Sequence, residues 1–516
     1  MDQTQLAHDF ELLSSILVQR IDEDPRAAIS AARTILAAEE LFDETNRQVL
    51  ASIVLTDAGS ECNDLEAVNE AVSLLEKLHL KHASDPNIMY NLANALITRA
   101  NLTVLPLHAD WCVVTSADRV RAKKLFQTVG EHPASERNLR ARALTNLGNA
   151  LARNWRLIEA YDCYARAIEY DPENGVAISN AAKALDDLVR YGLAYEDDVA
   201  PVIAKLVRKA KECQGSIPEI AGAAAGAKIQ VFLDDSAHSG EIPDLTGATE
   251  YQRFVAANRL ALAPTIEGLN LQLNRWDSLR MAPILDEVGK SGIPPVFAMF
   301  NVLKADFLAA RYVAHAALSE ACPESGKYYD TLDFAKYGAS ISLMGIAQKS
   351  CIDLLDKTAV ALNSFLALSN KPEDVYFNNL LLKPPPKNGG ENASREYKRE
   401  VVQHVLDGDF PLIALGEVAR DLNGYLKEKK AIRHATTHRF TVLHDIGNSP
   451  SRESNCIEHF ALEHFERHLI ESLQVARAVL FYFVYLISVH ERRKALTQGI
   501  IGVIDIPDHD FIRGEG

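Results

Sequence analysis

The stretch from Ala141 to Asn174 constrains the fold more than any other part of this chain. Leu144, Leu147, Gly148, Leu151, Ala160, Tyr164, Ala167 and Pro172 stand at the spacing of two short helices lying against each other. Gly148 and Ala160 are small enough to let the two backbones approach. Leu147, Leu151 and Tyr164 are large enough to fill the space around that approach. Asp171-Pro172-Glu173-Asn174 stops the second helix, because proline has no amide to donate. One such pair cannot bury its apolar side alone and needs similar pairs stacked beside it.

Those residues fall on the signature positions of a ~34-residue tetratricopeptide repeat, which the unit resembles. Tyr90-Asn91-Leu92-Ala93-Asn94-Ala95-Leu96 echoes Thr145-Asn146-Leu147-Gly148-Asn149-Ala150-Leu151. Its partner helix is expected around Ala122, Phe126 and Val129, with 101–116 as an insertion. Ile178, Ala181, Ala182 and Leu185 continue the first-helix pattern. Helical patterns at 8–20, 26–40, 44–56 and 65–81 read as degenerate pairs. The expectation is an all-α chain that opens with a helical-repeat solenoid over 1–230. Solenoids of this kind usually serve recognition, so a partner-binding or sensing role is expected for it.

Residues 231–327 read as a helical connector, with Gly and Pro breaks such as Gly292-Ile293-Pro294-Pro295. A helical bundle is expected over 328–498. Its helices are expected at Leu332 to Leu368 (bent near Gly338 and Gly345), from Pro411 through Lys430, and from Ser454 to Leu496. Residues 383–390 read as an exposed loop. The 499–516 tail, rich in isoleucine, reads as a short strand or packed arm.

The net charge of −16 argues against a basic coat for duplex nucleic acid. Seven cysteines lie singly, without a CxxC pair, which disfavours a zinc ribbon or a disulfide framework and points to a reducing, cytoplasmic compartment. No signal peptide is expected at the N-terminus. The apolar window Val479 to Val489 is too short for a membrane span of ~20 residues and reads as a core helix, so no membrane association is expected.

Against this acidic background, 427–444 is a positive island. Lys427, Lys429, Lys430, Arg433 and Arg439 face a lone Glu428, with His434, His438 and His444 interspersed. Such an island suits an anionic ligand such as an RNA phosphate. A solvated helix face is the bland alternative. Arg-x4-His alone says little: with 16 histidines in 516 residues it arises about once by chance. Arg439 with His444 is a second such pair, and Arg452 with His459 a looser one.

The surroundings favour the first pair. Arg433-His434-x-x-x-His438 resembles the signature of HEPN domains: Arg, then Asn, His or Asp, then His four residues later. Phe440 after Arg439 departs from that pattern. Leu355-Asp356-Lys357-Thr358-Ala359 with Leu362-Asn363-Ser364-Phe365 resembles the first long helix of the LA2681-like branch. Phe410 to Leu415 and Arg420-Asp421-Leu422 resemble the approach to the motif. The resemblance covers about 328–496 and implies a metal-independent endoribonuclease that needs no cofactor. It also implies a homodimer whose motifs face each other. Arg433 would clamp the phosphate, His438 would act as general acid/base and His434 would support it, with Asp356 and Arg439 as weaker candidates. On a regular helix Arg433 and His438 would lie ~140° apart, which favours a site completed by a second subunit. RNA is the expected substrate. A toxin or antiviral-defence role, held by the repeats until a protein or phage-derived trigger arrives, follows from the pairing of domains.

Two other readings stay open. His434 with His438, or His464 with His468, has the i, i+4 spacing of zinc ligands, and His459 with Glu463 could add more. A non-catalytic adaptor would use the repeats for a partner and the bundle for dimerisation. Gly222 to Lys228 is a poor P-loop, lacking Gly-Lys-Ser/Thr, and its alanines read as packed helix.

Overall fold

The computed structural model describes residues 12–13, 15–17, 19–38, 42–103, 112–114, 117–243, 246–271, 276–286, 292–319, 323, 326–384, 395–422, 425–426, 439–446, 454–497 and 502–504. The N-terminal half is a run of helix pairs: α1 (Pro25–Ala37), α2 (Glu44–Glu61), α3 (Leu65–Lys81), α4 (Pro86–Thr103), α5 (Ala117–Glu131), α6 (Arg137–Ala152), α7 (Leu157–Tyr170), α8 (Gly175–Arg190), α9 (Glu196–Glu212), α10 (Ser216–Ala221) and α11 (Ala223–Asp235). Asp24, Asp43, Asp64 and Asn174 cap the helices that follow them by accepting from first-turn amides. From α1 to α9 each helix packs chiefly on its neighbours in sequence, which makes the array a solenoid. In the α6/α7 pair the expected contact is present. A Cβ on Gly148 would stand 2.5 Å from the Tyr164 ring. The alanines after Gly222 are helical, but Ala223, Ala224, Ala225 and Ala227 are exposed rather than packed.

The C-terminal half continues with α12 (Glu250–Ala257), β1 (Ile284–Asp286), α13 (Pro295–Leu318), β2 (Ala335–Lys336), α14 (Ala339–Phe365), α15 (Phe377–Leu380), α16 (Arg399–Leu406), α17 (Phe410–Asp421), β3 (Phe440–His444), β4 (Ile457–Ala461), α18 (Leu462–Thr497) and β5 (Gly502–Ile504). Helices α13, α14, α17 and α18 form the bundle around α18. Among the described residues α18 alone is long and apolar enough to cross a membrane. Of its most apolar window, 83% is buried inside the protein, as expected for a core helix.

Three boundaries differ from the sequence reading. The helix expected from Leu332 starts at Ala339; Gly338, with φ 142°, marks its start rather than a bend. Helix α17 ends at Asp421, just before Asn423-Gly424 in the sequence. The helix expected from Ser454 begins at Leu462, because 457–461 pairs as a strand. Strand β3 lies between β2 (antiparallel) and β4 (parallel). The tail forms a strand as expected, with β5 antiparallel to β1.

One hydrophobic cluster runs from Val72 in the repeats to Ile487 in α18. The bundle sits on the second helices of the pairs, α5 and α7. The first helices keep their own polar face. There Asn146 donates to Tyr90 and Asn94, while Asn149 accepts from Tyr164 and Asn180.

Candidate functional site

Helix α17 leads toward the basic island, and its whole length from Pro411 to Asp421 is buried. Buried charges hold it to the repeats. Asp421 receives Lys123 Nζ of α5 at 2.5 and 2.7 Å and also pairs with Arg156, just ahead of α7. All three side chains are essentially inaccessible to water. Arg156 is shared with Glu159, which also accepts from Tyr482 of α18 at 3.1 Å. One residue earlier on α17, Arg420 pairs with Glu417 and donates to the Cys112 carbonyl at 2.7 Å. A second cluster joins α7 to α18: Asp162 takes Arg259 at 2.6 Å and Arg477 at 2.9 Å. Burial works against charge on Lys123, and the carboxylates of Asp421 and Glu417 counter it.

The island itself, with Arg433, His434, His438, Lys427, Lys429 and Lys430, lies outside the described residues. Its exit is visible. Arg439 is half-exposed and ion-paired to Glu458 across β3 and β4. His444 is 1% exposed. Its Nδ1 donates to the Asp333 carbonyl at 2.9 Å, and its Nε2 lies 2.8 Å from His459 Nδ1. A carbonyl only accepts, so a neutral His444 carries its proton on Nδ1 and accepts on Nε2. His459 then donates from Nδ1 and presents a bare Nε2, which is buried without a partner among the described residues. Arg439 stands just before β3 and pairs with Glu458, whereas His444 at the far end of the strand is held by Asp333 and His459. The second Arg-x4-His pair therefore does not converge. The histidines of the second and third spacing matches do meet, a contact that linear spacing could not reveal.

Around this sheet large apolar side chains face solvent: Tyr329, Leu332, Phe334, Phe440 and Ile446. Leu332 and Phe334 both take positive φ, 58° and 59°. Non-glycine residues rarely do so, and here the conformation is held by hydrogen bonds. Asp330 accepts from the Leu332 amide, and Phe334 O accepts from Asp445 N.

The remaining candidates have structural partners. Asp356 accepts from the Phe377 amide at 2.9 Å and so positions α15. The rings of His464 and His468 meet edge to face, 4.3 Å between centroids. Among the described residues the group of three that could hold a metal is elsewhere: His404, Asp409 and His490, with ligand atoms within 4.8 Å of one another. There Asp409 caps α17 through Leu412 N and pairs with His490 Nε2 at 2.6 Å, with Arg493 3.9 Å away. The carboxylate is satisfied by these contacts alone, so the group reads as a clamp joining α16, α17 and α18.

An apolar bundle docked through buried charges onto a helical solenoid defines a two-part helical protein, and the basic stretch of its sequence stands between α17 and β3. Residues 288–490 match the family described as LA2681-like HEPN, and that part of the chain is a HEPN domain of this type. HEPN domains are generally ribonucleases. The match runs from just before α13 into α18 and contains the Arg433–His438 segment. No curated protein matches the chain.

Proposed function

We propose that this protein is a metal-independent endoribonuclease that acts as a cytoplasmic homodimer, a toxin or antiviral effector restrained by its repeats. The observation that carries the reading is the matched HEPN domain, which contains Arg433-His434-x-x-x-His438 inside a strongly basic segment. His438 removes the proton from a ribose 2′-hydroxyl, and the oxygen attacks the adjacent phosphorus. Arg433 offsets the charge on the crowded phosphate. The P–O5′ bond breaks as the leaving oxygen takes up a proton, leaving a cyclic 2′,3′-phosphate and a 5′-hydroxyl. His434 supports the site. A second copy docks on the exposed apolar residues around β2 and β3 and brings its own motif to the junction. The tie between Asp421 and the repeats supports regulation. A trigger bound to the polar face of the first helices would be felt at α17, which ends twelve positions before Arg433.

The test is cleavage of structured RNA in EDTA by the full chain and by His438→Ala. Loss of ~10²–10⁴-fold in rate is expected for removal of a general acid/base. Equal cleavage removes His438 from the mechanism. A wild-type chain that cleaves no RNA and is harmless on expression makes the adaptor the better reading.

A further inference from the structure

A cavity of about 490 Å³ opens where the repeats, the connector and α18 meet. Gly192, Leu193 and Tyr195 come from the α8–α9 turn, Pro264, Leu279, Arg280 and Pro283 from the connector, and Phe481, Val484, Tyr485 and Arg492 from α18. The size is that of a small-molecule pocket, ~300–1,000 Å³. Most of the wall is apolar. Two features of its polar groups mark it as a built site rather than a packing gap.

Both features are arginines, and the first is Arg492. Its guanidinium donates only to main-chain carbonyls, Nη1 to Tyr191 O at 2.8 Å and Nε to Ser488 O at 3.2 Å, and it makes no ion pair among the described residues. Partial burial alone pulls its pKa down, with no carboxylate acting against this. Room for the group is made by Gly192. At φ 65° it takes a left-handed backbone, and a Cβ there would collide with the guanidinium. Across the cavity Arg280 lies over the Tyr195 ring at 5.0 Å and donates to its hydroxyl at 2.9 Å. The acids on the wall are Asp198 and Glu491. Glu491 is already engaged by the Leu285 amide at 2.7 Å and by Lys494 at 2.6 Å.

We propose that this cavity is a binding site for a small amphipathic organic anion. Its acidic group meets Arg492 with Arg280 nearby, and its apolar body lies against Leu193, Leu279, Phe481 and Val484. The walls come from three parts of the chain, so an occupant ties the repeats to the bundle. Any consequence for RNA cleavage rests on the function proposed above; binding does not.

The test uses 8-anilinonaphthalene-1-sulfonate as probe, with the full chain, followed by fluorescence and calorimetry. One saturable site is expected. Arg492→Gln should weaken binding about tenfold or more, the worth of a charged hydrogen bond. Ala282→Trp, which places a ring in the cavity, should abolish it, and both variants should melt with the wild type. The uncharged analogue N-phenyl-1-naphthylamine should bind at least about tenfold more weakly than the sulfonate. Equal binding to wild type and Ala282→Trp would place the probe on the exposed apolar surface and overturn the proposal. Equal binding of the charged and uncharged probes would overturn the anion. Neither outcome depends on ribonuclease activity.

Discussion

Replacing Asp421 by alanine tests whether the repeats and the HEPN domain fold as one unit. Asp421 is fully buried, and its carboxylate is the group that both Lys123 and Arg156 reach. Without it Arg156 still has Glu159, but among the described residues Lys123 is left with no carboxylate in hydrogen-bond contact, with Glu417 acting only from a distance and the Tyr425 ring 5.9 Å away. Breaking a buried pair from one side costs about 3–5 kcal/mol, because the remaining charge stays out of water. Unfolding entropy of ~2.1 cal/mol/K per residue gives about 1.1 kcal/mol/K for a chain of this length unfolding together. The melting temperature should therefore fall by about 3–5 °C. Calorimetry should show one main transition, since one core spans both halves. Adding Lys123→Met should restore at least half of the loss, because it removes the stranded charge. A fall below about 1 °C, or two transitions of which only one moves, would refute the argument.

Four further outcomes are expected. Gly148→Ala should cost ~1–3 kcal/mol in urea unfolding, because the Tyr164 ring at 2.5 Å must shift and is tied to Asn149. Glu267 is partly buried, which disfavours its charge, but Arg259 together with hydrogen bonds from Arg259, Thr265 and Tyr161 outweighs this and lowers its pKa. A lowered carboxylate stabilises above its ordinary value of 4.5 and loses that contribution in acid, so Glu267→Gln should be less stable than wild type at pH 7, with the gap closing as pH falls below 4.5. Phe334→Glu with Phe440→Glu should convert a dimer to a monomer by light scattering, leaving the melt unchanged within about 1 °C, as for surface changes. The same pair should lower RNA cleavage sharply if the site is shared, whereas His438→Ala should abolish cleavage without changing mass.

The solenoid was legible because its constraint is local and periodic. Small and large residues recur at fixed steps, and the Gly148–Tyr164 contact is nearly written in them. The ordered flanks of the HEPN domain were legible in the same way. The docking was not. Lys123 and Asp421 stand far apart in sequence, and each looks like an ordinary solvated charge until the fold buries both. Strand β3 is hidden in sequence because it directly follows the Arg and His run, although Phe440-Thr441-Val442-Leu443 has the composition of a strand. Its partners, 335–336 and 457–461, lie on either side in sequence, and only the folded chain brings them together. The His444–His459 contact is hidden for the same reason.

The shared core also has a bearing on descent. Domains joined by a loose linker can be shuffled, each carrying its own stability. Here a lineage that exchanged its repeats for foreign ones would leave Asp421 without Lys123 and Arg156, and Arg477 without Asp162. Such a recombinant would be selected against for misfolding before its activity mattered. The two halves should therefore be inherited together. Charge-reversing changes at positions 123 and 421 should appear as matched pairs rather than singly.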